Sequence, residues 1–108
     1  MHVSFQGLTL HVQDVERSRD FYLRLPGVVL EHHRPGEFAL LRIGEAWLGL
    51  IQLGARGFHL ELTTPDLDRL YAHLCRKGLK TSGPPKERGW GERTFMLIDP
   101  DGNRIEFQ

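Results

Sequence analysis

The sequence predicts an α+β domain built from two copies of one β-α-β-β-β unit. Three observations lead there. Short segments alternate apolar and polar residues with a period of two, as half-buried strands do. Two longer segments place apolar residues at helical spacing. The order of these segments then occurs twice along the chain, in matching register. The 108 residues fit one domain, 1–108, with module one at about 5–53 and module two at about 57–108. A chain of this size buries roughly 60–70% of the surface its unfolded form exposes, which allows a modest core.

The first strand is Gly7-Leu8-Thr9-Leu10-His11-Val12, with Leu8, Leu10 and Val12 on one face and Gly7, Thr9 and His11 on the other. Asp14 caps the helix that follows, and Glu16 lies in its first turn, where the helix dipole favours an anion. Val15, Ser18, Phe21, Tyr22 and Leu25 recur at helical spacing, and Pro26-Gly27 ends the helix. Three strands follow, at about Val28–His33, Glu37–Ile43 and Ala46–Leu53, separated by the turn residues Arg34-Pro35-Gly36 and Gly44-Glu45.

The pattern then restarts. Phe58 to Thr63 alternates, with Leu60 and Leu62 against His59, Glu61 and Thr63. Thr64-Pro65 reads as a cap followed by proline at the first helical position. Leu67, Leu70, Tyr71 and Leu74 form an apolar helical stripe, which Gly78 stops. Strands are expected near Leu79–Gly83, at Arg93–Ile98 and at Arg104–Phe107, with Asp99-Pro100-Asp101-Gly102 as the turn between the last two. Asp14-Val15-Glu16-Arg17 corresponds to Asp66-Leu67-Asp68-Arg69, 52 residues later, and Gly44–Leu50 corresponds to Asp101–Phe107, 57 residues later. The second copy therefore carries extra residues between helix and last strand, and the stretch from Gly83 to Gly91, rich in glycine and proline, is the place for them.

Charge narrows the function classes. Fourteen basic and fourteen acidic residues cancel. That balance argues against nucleic acid or an anionic membrane as partner, because both need a dense basic face. No apolar run approaches the roughly 20 residues that span a bilayer, and the first residues carry no signal-peptide pattern. One cysteine, Cys75, fits a reducing cytoplasm, where the protein is expected to act. Six histidines make metal or acid–base chemistry worth testing for. His32, His33 and His73 read as surface residues.

Two segments carry a specific resemblance. Asp14-Val15-Glu16-Arg17-Ser18-Arg19-Asp20-Phe21-Tyr22 resembles the first helix of the vicinal oxygen chelate superfamily, which includes glyoxalase I, bleomycin resistance proteins and extradiol dioxygenases. Asp99-Pro100-Asp101-Gly102-Asn103-Arg104-Ile105-Glu106-Phe107 resembles its closing hairpin. The resemblance implies two modules forming an incomplete barrel around a cleft, often within a homodimer. It also implies metal-ligand positions at Gly7, Gly49, His59 and Glu106, of which only His59 and Glu106 carry a ligand side chain.

A catalytic divalent metal usually has three protein ligands and an open position. His59 and Glu106 supply two. His11 shares a face with Gly7 but lies about 13 Å along the strand, too far to replace it. Glu61 shares a face with His59, about 6.6 Å along, and would become a displaced third ligand only with rearrangement. Two readings stay open. In one, a small-molecule-binding protein with a degenerate metal site takes an apolar or aromatic ligand between His11, Trp47, Glu61, Trp90 and Arg104. In the other, one divalent ion (Ni, Mn, Fe or Zn) on His59 and Glu106 supports lyase, isomerase or dioxygenase chemistry, with Glu106 as the catalytic proton carrier.

Overall fold

The computed structural model describes residues 2–89 and 91–108. Its elements run β1 (Ser4–Val12), α1 (Val15–Leu23), β2 (Val28–Arg34), β3 (Phe38–Ile43), β4 (Ala46–Gln52), β5 (Gly57–Thr63), α2 (Leu67–Arg76), β6 (Lys86–Glu87), β7 (Arg93–Ile98) and β8 (Arg104–Phe107). The fold class is α+β, and the β-α-β-β-β order occurs twice, as the repeat predicts. The chain forms two compact units, Gly7–Phe58 and His59–Gln108, the second also taking in residues 2–6.

In the first unit the strands are ordered β2-β3-β4-β1, with β1 and β4 parallel and the other pairs antiparallel. The unit does not close on itself. Leu10, Val12, Leu48, Leu50, Ala39 and Leu41 turn to one face, where Val15 and Tyr22 of α1 pack on them. Burying each large aliphatic side chain contributes about 1.5–3 kcal/mol before entropy is counted. The alternation seen in the sequence therefore selects the buried face. Leu30 and His32 bracket a register shift between β2 and β3.

The second unit repeats the plan as β5-β8-β7-β6, with β5 and β8 parallel. Leu62, Ile105, Phe107, Phe95 and Leu97 face Leu67, Leu70, Tyr71 and Leu74 of α2. Phe95 stacks on Phe107 with ring centroids 5.0 Å apart and meets Tyr71 edge-on at 5.4 Å. Asp99 shapes the β7–β8 turn by accepting from the backbone N–H groups of Asp101 and Asn103 and from Asn103 Nδ2. Those donors hold its carboxyl below the usual carboxylate range, with Asn103 the main cause.

Three local expectations change. The second helix is capped by Asp66, whose side chain accepts from Arg69 N at 3.1 Å, and Thr64 lies before the cap with its hydroxyl buried and unpartnered. A carboxylate at Asp66 reaches the third helical N–H as Asp14 reaches that of Arg17, so the two modules share one capping device. The strand expected near Leu79–Gly83 is reduced to a single bridge, Thr81 to Leu97. Gly83 takes φ +118 and turns its N–H back to Thr81 Oγ1, which ends the extended backbone, and the two prolines that follow have no N–H to continue the ladder. His33 is a half-buried residue paired with Glu16 at 2.6 Å, and Arg19 also contacts its ring. That imidazole and Gly36 N–H hold the Glu16 carboxyl below its ordinary value. Among the described residues no helix is long and apolar enough to cross a membrane.

Candidate metal and ligand site of the second module

The face of β5, β8 and β7 turned away from α2 carries His59 and Glu61, then Arg104 and Glu106, then Thr94, Met96 and Ile98. Their registers are explicit: His59 pairs with Arg104, Glu61 with Glu106, Met96 with Glu106 and Ile98 with Arg104. Parallel pairing sets Glu61 and Glu106 side by side, roughly 4.8 Å apart at the backbone. His59 and Glu61 are two residues apart on one strand and lean together, so His59 Nε2 stands 2.7 Å from Glu61 Oε1 and 4.0 Å from Glu106 Oε2. Gln108 Nε2 donates to Glu61 Oε2 at 3.3 Å.

Ligand atoms of His59, Glu61 and Glu106 all lie within 4.8 Å of one another. Ligands about 2.1 Å from one ion stand roughly 3–4 Å apart, so small side-chain rotations bring all three into range. Glu61 therefore needs no strand displacement to join the pair. Distance along one strand understates the approach, because neighbouring strands bring carboxylates together sideways. Burial of Glu106 together with the Glu61 carboxylate beside it pushes the Glu106 carboxyl up to about 7, against opposing attraction from His59 and Arg88. One imidazole and two crowded carboxylates form a donor set that suits a divalent cation.

The first module's equivalent positions are filled. A Cβ at Gly7 would stand 2.1 Å from the Trp47 carbonyl oxygen, and one at Gly49 would stand 2.5 Å from Thr9 Oγ1. A histidine or glutamate fits neither place without displacing a neighbour. Trp47 lies opposite Gly7 and His11 opposite Ile51, so the two sit about 13 Å apart along their strands. The same face also carries half-buried Ile51, Phe38 and Leu40, with Arg42 opposite Trp47. A Cβ on Gly57 would approach His11 Nδ1 to 3.0 Å. Trp90 lies outside the described residues.

Of the residues singled out from sequence, His59, Glu61, Glu106 and Arg104 thus share one face of the second unit. His11 and Trp47 belong to the first. Sequence reasoning missed Gln108, Met96 and Thr94, although alternation from Glu106 and through β7 places them on that face. It also missed Arg88, whose Nε donates to buried Thr94 Oγ1 at 2.7 Å. No period marks a residue in that loop.

Comparison with known proteins agrees with this architecture. The chain belongs to the glyoxalase/bleomycin resistance protein/dioxygenase superfamily, which it matches over residues 2–107. It is 29% identical to a bleomycin resistance protein of Geobacillus stearothermophilus, covering 91% of this chain and 90% of that one. It is 30% identical to the glutathione transferase FosA of Serratia marcescens, covering 95% of this chain and 78% of that one. A superfamily member from Vibrio splendidus 12B01 superposes with a TM-score of 0.70 at 22% identity, covering 98% of this chain and 95% of that one.

Proposed function

We propose that this protein binds a small molecule at the polar face of its second module, through a divalent cation held by His59, Glu61 and Glu106. The observation that carries the reading is the convergence of three ligand atoms, from neighbouring strands β5 and β8, within 4.8 Å of one another. When bound, such a cation supplies Lewis acidity to a ligand oxygen. The chain's own residues do the rest. Gln108 steadies Glu61, and burial keeps water from competing with weak contacts. Without the cation Glu106 holds a proton near neutrality, and cation binding displaces that proton, because the ion's charge favours both carboxylates. Relatives named for bleomycin resistance and glutathione transfer support a small-molecule ligand.

A second reading, a metal-free binding protein, is favoured by a different observation. The first module offers no ligand side chain at Gly7 or Gly49, and the corresponding strand face carries half-buried Trp47, Ile51, Phe38 and Leu40, which suit an aromatic ligand. Metal content separates the two. The protein and His59→Ala are loaded in turn with Ni, Mn, Fe and Zn, dialysed and assayed. The first reading expects about one ion per chain in the wild type and loss in the variant. No retained ion in either protein leaves the metal-free reading. We also infer a cytoplasmic homodimer, supported by the free Cys75 and by exposed apolar side chains such as Phe5 and Phe21, which are 65% and 59% exposed.

A further inference from the structure

A cavity of about 470 Å³ opens beside the three acidic and imidazole groups, lined by Lys80, Thr81, Ser82, Met96, Ile98 and Arg104. Its chemistry is one-sided. Two cations line it, and no carboxylate does. Neither Lys80 nor Arg104 has a salt-bridge or hydrogen-bond partner among the described residues, although surface cations on this chain do pair elsewhere, as Arg93 does with Asp68 and Arg42 with Glu31. The Ser82 hydroxyl oxygen accepts from Met96 N at 2.9 Å, which anchors the loop and leaves its O–H to donate. The Ser82 backbone N–H donates to Met96 O at 2.9 Å, so the loop is tied twice to β7. Met96 and Ile98 give the cavity an apolar floor, and Ile98 is 53% exposed.

Register ties this cavity to the candidate metal site. Arg104 pairs with His59 and lies two residues before Glu106 on β8, and Met96 pairs with Glu106, so the β7 and β8 side chains of the cavity share the face that carries the acidic cluster, with Lys80 on the segment bridged to the far side of β7. We propose that the cavity binds the anionic group of a small organic ligand, a phosphate or carboxylate, held by Lys80, Arg104 and the Ser82 hydroxyl, with an apolar portion resting on Met96 and Ile98. Two full charges and a hydroxyl donor converge on one space, and charge-assisted hydrogen bonds are the strong ones. The proposal deepens the reading of this face as a ligand site, but it does not need the metal.

The test uses phenyl phosphate as probe, with benzyl alcohol and inorganic phosphate as comparisons, followed by calorimetry on the full chain. Arg104→Gln and Lys80→Gln are each expected to weaken phenyl phosphate about tenfold, because each removes one charge-assisted contact. Both side chains are exposed, and unchanged thermal melting confirms that the variants fold. Benzyl alcohol should not bind measurably. Inorganic phosphate should bind less well than phenyl phosphate, since it leaves the apolar floor uncovered. Equal binding of phenyl phosphate by wild type and both variants would overturn the proposal, as would no binding by any of them. Equal affinity for inorganic phosphate and phenyl phosphate would overturn its apolar half. The metal assay fails or succeeds separately: loss of ion binding in His59→Ala with no effect of Arg104→Gln on the probe sinks only this inference.

Discussion

Two glycines decide how the modules differ, and each is held by a different obstacle. At Gly7 the obstacle is backbone, the Trp47 carbonyl oxygen 2.1 Å from where a Cβ would stand. At Gly49 it is a side chain, Thr9 Oγ1 at 2.5 Å. Gly7→Ala should therefore destabilise the fold by about 1–3 kcal/mol, the usual cost of overpacking, with no side-chain change to relieve it. Gly49→Ala should cost a similar amount alone and recover much of it when combined with Thr9→Ala. Urea titration of these three variants and of Thr9→Ala alone checks this, and a double variant no more stable than Gly49→Ala would refute the Thr9 explanation. Glu106 gives a second test. Its carboxyl titrates at about 7 against an ordinary 4.5, so the fold holds this proton more tightly than the unfolded chain does. Its contribution to stability is complete below about pH 4.5 and is lost as pH rises through 7. The stability difference between wild type and Glu106→Gln, measured without metal, should fall over that range. A flat difference would show that Glu106 is not the shifted group.

At the scale of elements, both helices begin with an aspartate that accepts from the N–H three residues on, Asp14 from Arg17 and Asp66 from Arg69. Asp14→Ala and Asp66→Ala should each cost about 1 kcal/mol in chemical unfolding. The two effects should add, because the caps lie in separate units. Markedly unequal costs would mean that the repeat in sequence is not a repeat in energetics. These caps were legible from pattern in part: Asp14 directly, Asp66 only through its match to Asp14, since Thr64-Pro65 offers a competing start signal. Alternation likewise exposed the buried faces of β1 and β5. It could not show that Leu79–Gly83 pairs at one bridge, because glycine conformation and proline lack the periodic signal that marks a strand.

At the scale of the whole molecule, the family resemblance and the fold were carried by the helix-start and closing-hairpin segments, both of which form as expected. The expectation of ligands at His59 and Glu106 came from the family resemblance, with which the repeat offsets agree. The approach of Glu61 to that pair was not legible, because convergence of three side chains depends on which strands are neighbours and in what register, and a single strand contains no such information. Lys80 and Arg104 are farther still from legibility, being 24 residues apart in sequence and joined only by the cavity. A homodimer would cover exposed apolar side chains, so light scattering should give twice the 12.4 kDa chain mass at micromolar concentration. A monomer at all concentrations would contradict that expectation.

The central claim is that the second module alone holds a complete cation site, with Glu61 as its third ligand. The most direct measurement is Zn or Mn affinity by calorimetry for wild type and Glu61→Gln. The account predicts one site per chain in the wild type and at least about tenfold weaker binding in the variant, with the fold intact. Equal affinity in the two proteins would contradict it, even if His59→Ala abolished binding.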